Sequence, residues 1–98
     1  MKKFRVLIIE DDGMISLLLT ILLEDMGYDV CAAEATENGA VAAAERTQPD
    51  LIIADMNLLE GSGLGAIDRI SLARSTPHIF ATANVAAIRA SRPDAVMI

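Results

Sequence analysis

Three short clusters in this chain carry side chains suited to metal and phosphate chemistry: Glu10-Asp11-Asp12, Asp55-Met56-Asn57 and Thr82-Ala83-Asn84. Each directly follows a short apolar, β-prone run: Val6 to Ile9, Leu51 to Ala54 and His78 to Ala81. If the first two runs are neighbouring parallel strands, four carboxylates meet in one crevice. Like charges a few ångströms apart do not all ionise cheaply. A hard divalent cation with oxygen ligands removes that repulsion, and Mg²⁺ takes one or two carboxylates plus waters and phosphate oxygens. The competing reading is that Asp11 or Asp12 caps the helix that follows. Three acids after one strand and a fourth after another exceed what capping needs.

The elements that would position these clusters are legible as alternating short and long apolar patterns. After the run at 6–9, a helix is expected over Met14–Met26, with Gly27 at its left-handed end. Asp29 to Ala33 reads as a second strand, and Thr36 to Thr47 as an Ala-rich helix stopped by Pro49. Leu51 to Ala54 is the third strand, followed by the Gly-rich loop Glu60-Gly61-Ser62-Gly63 and a helix over Leu64–Arg74. His78 to Ala81 is a fourth strand, Val85 to Ala90 a short helix, and Ala95 to Ile98 a final strand. Largely apolar strands alternating with helices imply an α/β, doubly wound parallel sheet covered on both faces. In such sheets the ligand site lies beyond the carboxyl ends of the strands, where the three clusters stand.

Composition narrows the function. The chain has 98 residues, is 53% hydrophobic and has a net charge of −6, which suits one folded acidic domain. Residues 1–60 hold twelve acids and four bases, so the acidity sits in the half that carries the clusters. That balance argues against nucleic acid, which needs a clustered basic surface. The run Met14–Leu23 is too short to span a bilayer, so no membrane is expected and the localisation expected is cytoplasmic. One cysteine, Cys31, cannot form an internal disulfide and reads as a small buried residue. The lone His78 reads as structural, and Met56 as lining the rim of the site.

Ile8-Ile9-Glu10-Asp11-Asp12, Asp55 forty-four residues after Asp11, Gly63, and Ala81-Thr82-Ala83 fall in the order and spacing of a known pattern. Together they resemble the receiver domain of two-component response regulators, a flavodoxin-like phosphoacceptor, across Lys3 to Ile98. The resemblance implies a (βα)5-type fold with a five-stranded sheet of order 2-1-3-4-5. It implies a phosphoacceptor switch in a His-Asp phosphorelay, taking a phosphoryl group from a histidine kinase or histidine phosphotransferase onto Asp55. Glu10, Asp11, Asp55 and the backbone carbonyl of Asn57 would hold Mg²⁺ (or Mn²⁺), Asp11 being the more direct ligand of the two after the first strand. Asp12 would stand at the rim, as a helix cap or an outer group. Thr82 would be the switch residue, and Gly63 a tight turn with a packing role. The implied partners are the kinase or phosphotransferase, a downstream protein and, as an option, a second copy in a homodimer. The domain itself would not be an enzyme.

Several positions depart from that pattern. Leu59 stands where the family usually has Pro, within a Gly-rich variant loop. Pro77-His78-Ile79-Phe80-Ala81-Thr82 is similar to the Phe-Ala-Thr signature of one subgroup, but Ala83 and Asn84 break the match. Val96 replaces the usual aromatic of the last strand. The family's lysine and fifth helix would follow Ile98, so the expectation is a receiver domain over 1–98, truncated after its fifth strand. The first helix has nine apolar residues, more than one stripe requires, so part of it should be exposed. It would then serve as a partner surface or as packing for the missing helix. Two other functions fit less of the pattern. An unphosphorylated pseudo-receiver that binds partners is one. The other is an Asp-nucleophile Mg²⁺ phosphohydrolase, which needs an acid where Asn57 stands.

Overall fold

A computed structural model of the chain describes residues 3–81 and 96–97. The order of elements is β1 (Arg5–Ile9), α1 (Gly13–Asp25), β2 (Asp29–Glu34), α2 (Glu37–Thr47), β3 (Leu51–Ala54), α3 (Gly63–Ala73), β4 (His78–Phe80) and β5 (Val96–Met97). The sheet is parallel, five-stranded and ordered β2-β1-β3-β4-β5, the doubly wound arrangement expected. The expected helix over Val85–Ala90 and the residues Thr82, Ala83 and Asn84 lie outside the described residues.

Local chemistry explains the boundaries. Each described helix starts on a side-chain cap: Asp12 accepts from the amides of Met14 and Ile15, Thr36 from Gly39, and Ser62 from Gly65. Helix α1 ends at Gly27, which adopts φ +96, a conformation open to glycine at no steric cost. Helix α2 ends on Gln48 in the left-handed region, φ 47, ahead of the buried Pro49. Observed ends differ from the sequence expectation by a residue or two, as caps sit half inside the element.

The core lies between the sheet and α2–α3. Leu7, Ile9, Ile52, Ala54 and Phe80 meet Ala40, Ala43, Ala66 and Ile67, all at most 1% exposed. Alanines on α2 let that helix approach the sheet closely, which explains its Ala-rich stretch. On the other side, α1 contributes no buried residue, and Met14, Leu17, Leu18, Ile21 and Leu22 are each more than half exposed. The expectation of an exposed apolar α1 is met, and more fully than the sequence suggested.

Two smaller expectations change. Cys31 is half-buried, not buried, because β2 is an edge strand and the β1–β2 register shifts between Val6 and Leu7, leaving Cys31 unpaired. Its Sγ donates to the Val6 carbonyl at 3.4 Å. Met56 packs against the buried core and does not merely line the rim. His78 is structural, as expected: its ring lies edge-on to Phe80 at 5.4 Å, and its Nδ1 is 3.2 Å from the Thr76 carbonyl oxygen. Among the described residues, no helix is long and apolar enough to cross a membrane.

Candidate functional site

The acidic site is built by strand register. Ile9 pairs with Ala54 across β1 and β3, so the next residues, Glu10 and Asp55, leave the sheet side by side. The Asp55 amide donates to the Ile9 carbonyl at 2.8 Å, and the Glu10 amide donates to the Glu34 carbonyl at 2.9 Å. Both acids are thus fixed by the sheet before their side chains make any contact. Carboxylate oxygens of Glu10, Asp11 and Asp55 lie within 4.8 Å of one another.

Asp12 resolves the two roles that the sequence left open for this acidic run. Its Oδ1 accepts from the amides of Met14 and Ile15 at 2.9 and 3.1 Å, so it is the helix cap. Its own amide donates to Glu10 Oε2 at 3.0 Å. With the cap supplied by Asp12, Asp11 is left to join Glu10 and Asp55.

The cluster is electrostatically strained. Glu10 is 9% exposed, and burial pushes its carboxyl above the usual glutamate value of 4.5. The amide of Asp12 opposes this, while the charge of Asp55 and hydrogen bonding with Asp11 and Asp55 raise it further. The ion pairs among the described residues, Arg5–Asp29 and Arg69–Glu37, lie elsewhere. Three acids with no paired cation among the described residues form the donor set a hard divalent ion takes. Ligand oxygens around Mg²⁺ are about 3–4 Å apart, set by metal–oxygen distances of about 2.1 Å. The cluster's spacing is close enough that small side-chain adjustments would meet it.

This strain has a measurable consequence. The folded, metal-free protein binds more protons at Glu10 than the unfolded chain does, from pH 4.5 up to the raised value. Stability from this group therefore falls as pH rises through that window. In EDTA at neutral pH, Glu10→Gln is expected to unfold at a higher temperature than the unsubstituted protein. The gap should close as pH falls toward 4.5. Thermal melts followed by circular dichroism check both parts.

The remaining predicted residues fall as follows. The Asn57 amide donates to Asp55 Oδ1 at 3.3 Å, which places Asn57 on the loop that leaves the acidic cluster. Gly63 is buried, and a Cβ there would overlap the Asp55 carbonyl oxygen, so its role is close packing beneath Asp55. Thr82 is the one predicted site residue outside the described region. The exposed Leu59, standing in place of the family's Pro, gives the loop no anchor. Anchoring instead comes from Glu37, Ser62 and Arg69, which the sequence reading did not single out. Their only sequence signals were generic, an acid opening a helix and a Ser placed to cap the next.

Comparison with known proteins agrees with this geometry. The family described as the response regulator receiver domain matches residues 6–96. Phyllosphere-induced regulator PhyR of Methylorubrum extorquens is 40% identical over 81 residues, covering 81% of this chain and 30% of PhyR. The solution structure of the Erythrobacter litoralis PhyR receiver domain superposes with TM-score 0.88 at 32% identity, covering 98% of this chain and 77% of that one. A co-crystal structure of the anti-anti-sigma factor PhyR with the anti-sigma factor NepR, from Bartonella quintana, gives TM-score 0.74 at 32% identity. That match covers 80% of this chain and 33% of the PhyR chain. This chain thus spans about a third of full-length PhyR.

Proposed function

The chain belongs to the response regulator receiver domain family, and we propose that it is a phosphoacceptor switch whose affinity for a partner protein is set at Asp55. The observation that carries the proposal is the convergence of Glu10, Asp11 and Asp55 oxygens within 4.8 Å at the carboxyl ends of β1 and β3. In this reading Glu10, Asp11, Asp55 and the Asn57 carbonyl hold Mg²⁺ or Mn²⁺. The ion, when bound, supplies positive charge against the transferring phosphoryl group.

The residues divide the remaining work. An Asp55 carboxylate oxygen attacks phosphorus on a phosphohistidine of a histidine kinase or phosphotransferase. The O–P bond forms as the N–P bond breaks, and the released imidazole nitrogen takes up a proton. Asp55 is suited to this because its backbone is pinned to Ile9 while its side chain is only half-buried. Glu10 and Asp11 stay unmodified and bias the crevice toward cations. Thr82 is assigned the switch role in this reading. Turnover of substrate is not part of it, so the domain acts as a regulator rather than an enzyme, and within the cytoplasm.

A second reading has a specific observation behind it. A relative that shares this fold is captured in a complex with an anti-sigma factor, and α1 offers an exposed apolar face of a kind that marks interaction surfaces. In this reading the chain binds a partner without being phosphorylated. Intact-mass analysis after incubation with acetyl phosphate and Mg²⁺ separates the two. The phosphoacceptor reading expects one added phosphoryl group, lost on acid-labile hydrolysis and mapped to Asp55. An unmodified mass at every time point would favour the unphosphorylated module.

A further inference from the structure

We infer that Glu37 is a positioning residue for the acidic site, holding the β3–α3 loop in the shape that carries Asn57. The inference rests on the metal-binding reading above. Glu37 opens α2 and lies 25 residues from the loop in sequence, yet its Oε1 accepts the Ser62 amide at 2.9 Å. Ser62 pairs with Asn57 through an antiparallel bridge, and the Gly63 amide donates to the Met56 carbonyl at 2.9 Å. Asn57 in turn donates to Asp55 Oδ1. A continuous line of hydrogen-bonded backbone therefore runs from the Glu37 carboxylate to the acceptor aspartate.

A second tether doubles the first. The Glu37 amide donates to the Glu60 carbonyl at 3.0 Å, and Thr36 pairs with Glu60 through a parallel bridge. The carboxylate itself is held in place from α3. Arg69 Nη1 donates to Glu37 Oε2 at 3.1 Å and to Asn38 Oδ1 at 2.8 Å. The loop's glycines are fitted to this one side chain. A Cβ at Gly61, which has φ +85, would overlap the Glu37 Cβ, and one at Gly65 would stand 2.6 Å from Glu37 Oε1. The loop thus closes around a carboxylate, where the exposed Leu59 leaves no stiffening by proline.

Supporting groups beyond the direct ligands typically change metal affinity by about 10–100-fold. Titration calorimetry with MgCl₂, together with a melt of each protein, tests the assignment. Glu37→Ala is expected to weaken Mg²⁺ binding about tenfold and to speed amide exchange at Asn57, Ser62 and Gly63. Glu37→Gln keeps a carbonyl acceptor for Ser62 and should recover most of the affinity, even though it loses the ion pair with Arg69. Where Glu37→Ala fails to fold, Glu37→Met preserves length without an acceptor and takes its place. A lowered melting temperature with unchanged Mg²⁺ affinity would show Glu37 to be merely structural and overturn the inference alone. Absence of Mg²⁺ binding by the unsubstituted protein would overturn the metal reading and this inference with it.

Discussion

Asp55→Asn is expected to reduce phosphoryl uptake from acetyl phosphate to background while leaving the domain folded and, without metal, more stable. The amide cannot act as the nucleophile, so loss of uptake should be complete rather than graded. Stability should rise because the substitution removes one of three crowded negative charges, a gain on the order of 1 kcal/mol for a partly exposed site. The amide oxygen can still accept the Asn57 N–H that Asp55 Oδ1 now accepts at 3.3 Å, so the loop keeps its tie. Mg²⁺ affinity should fall at least about 100-fold, since a direct ligand outweighs supporting groups worth about 10–100-fold. The combination is diagnostic: damage to the fold would lower activity and melting temperature together, whereas removal of a strained functional charge moves them in opposite directions. Phosphoryl uptake, calorimetry and melts on one preparation give all three values.

The second large effect is expected at Gly63→Ala. Gly63 is the first residue of α3 and is buried beneath the end of β3, where an added Cβ would overlap the Asp55 carbonyl oxygen and come within 2.8 Å of its carbon. Backbone on both sides is committed: the Gly63 amide to Met56, the Asp55 amide to Ile9. Relief therefore requires moving α3 or the end of β3, and overpacking of this kind costs about 1–3 kcal/mol. For a domain of this size, that is a fall in melting temperature of roughly 4–8 °C per kcal/mol. Because the displaced atom belongs to Asp55, phosphoryl uptake should also slow in the fraction that remains folded. Gly13→Ala is the control, since a Cβ at Gly13 meets nothing within 4 Å, and it should leave both melting temperature and uptake near the unsubstituted values.

These residues show how much of the molecule is legible in its sequence. The strands at 6–9 and 51–54 were readable because a parallel strand buried on both faces has no polar alternation. Their adjacency was not readable from periodicity; it came from the resemblance and is confirmed by the register of Ile9 with Ala54. A metal site was legible because three acids after one strand and a fourth, Asp55, after another exceed what helix caps require, and the resemblance singled out Glu10, Asp11 and Asp55 among them. Residue chemistry alone left the cap open between Asp11 and Asp12, and the resemblance put Asp12 at the rim as a helix cap or an outer group. Backbone geometry gives the cap to Asp12. The Glu37 tether had no sequence signature at all, because a side chain accepting from a backbone amide 25 residues away leaves no mark on composition or spacing. Cys31 was misjudged for a related reason: an apolar neighbourhood suggests burial, but an edge strand with a register shift leaves it half-exposed.

The central claim, that this acidic crevice is a metal-dependent phosphoryl site centred on Asp55, is tested most directly by NMR with Mg²⁺ and beryllofluoride, a phosphoryl mimic. The account predicts that Mg²⁺ alone shifts residues 55–57, that the mimic added with the metal produces further shifts at 55–57 and 82–84, and that these mimic-dependent shifts disappear in Asp55→Asn. Identical shifts in the unsubstituted and Asp55→Asn proteins, or no response in either, would contradict it.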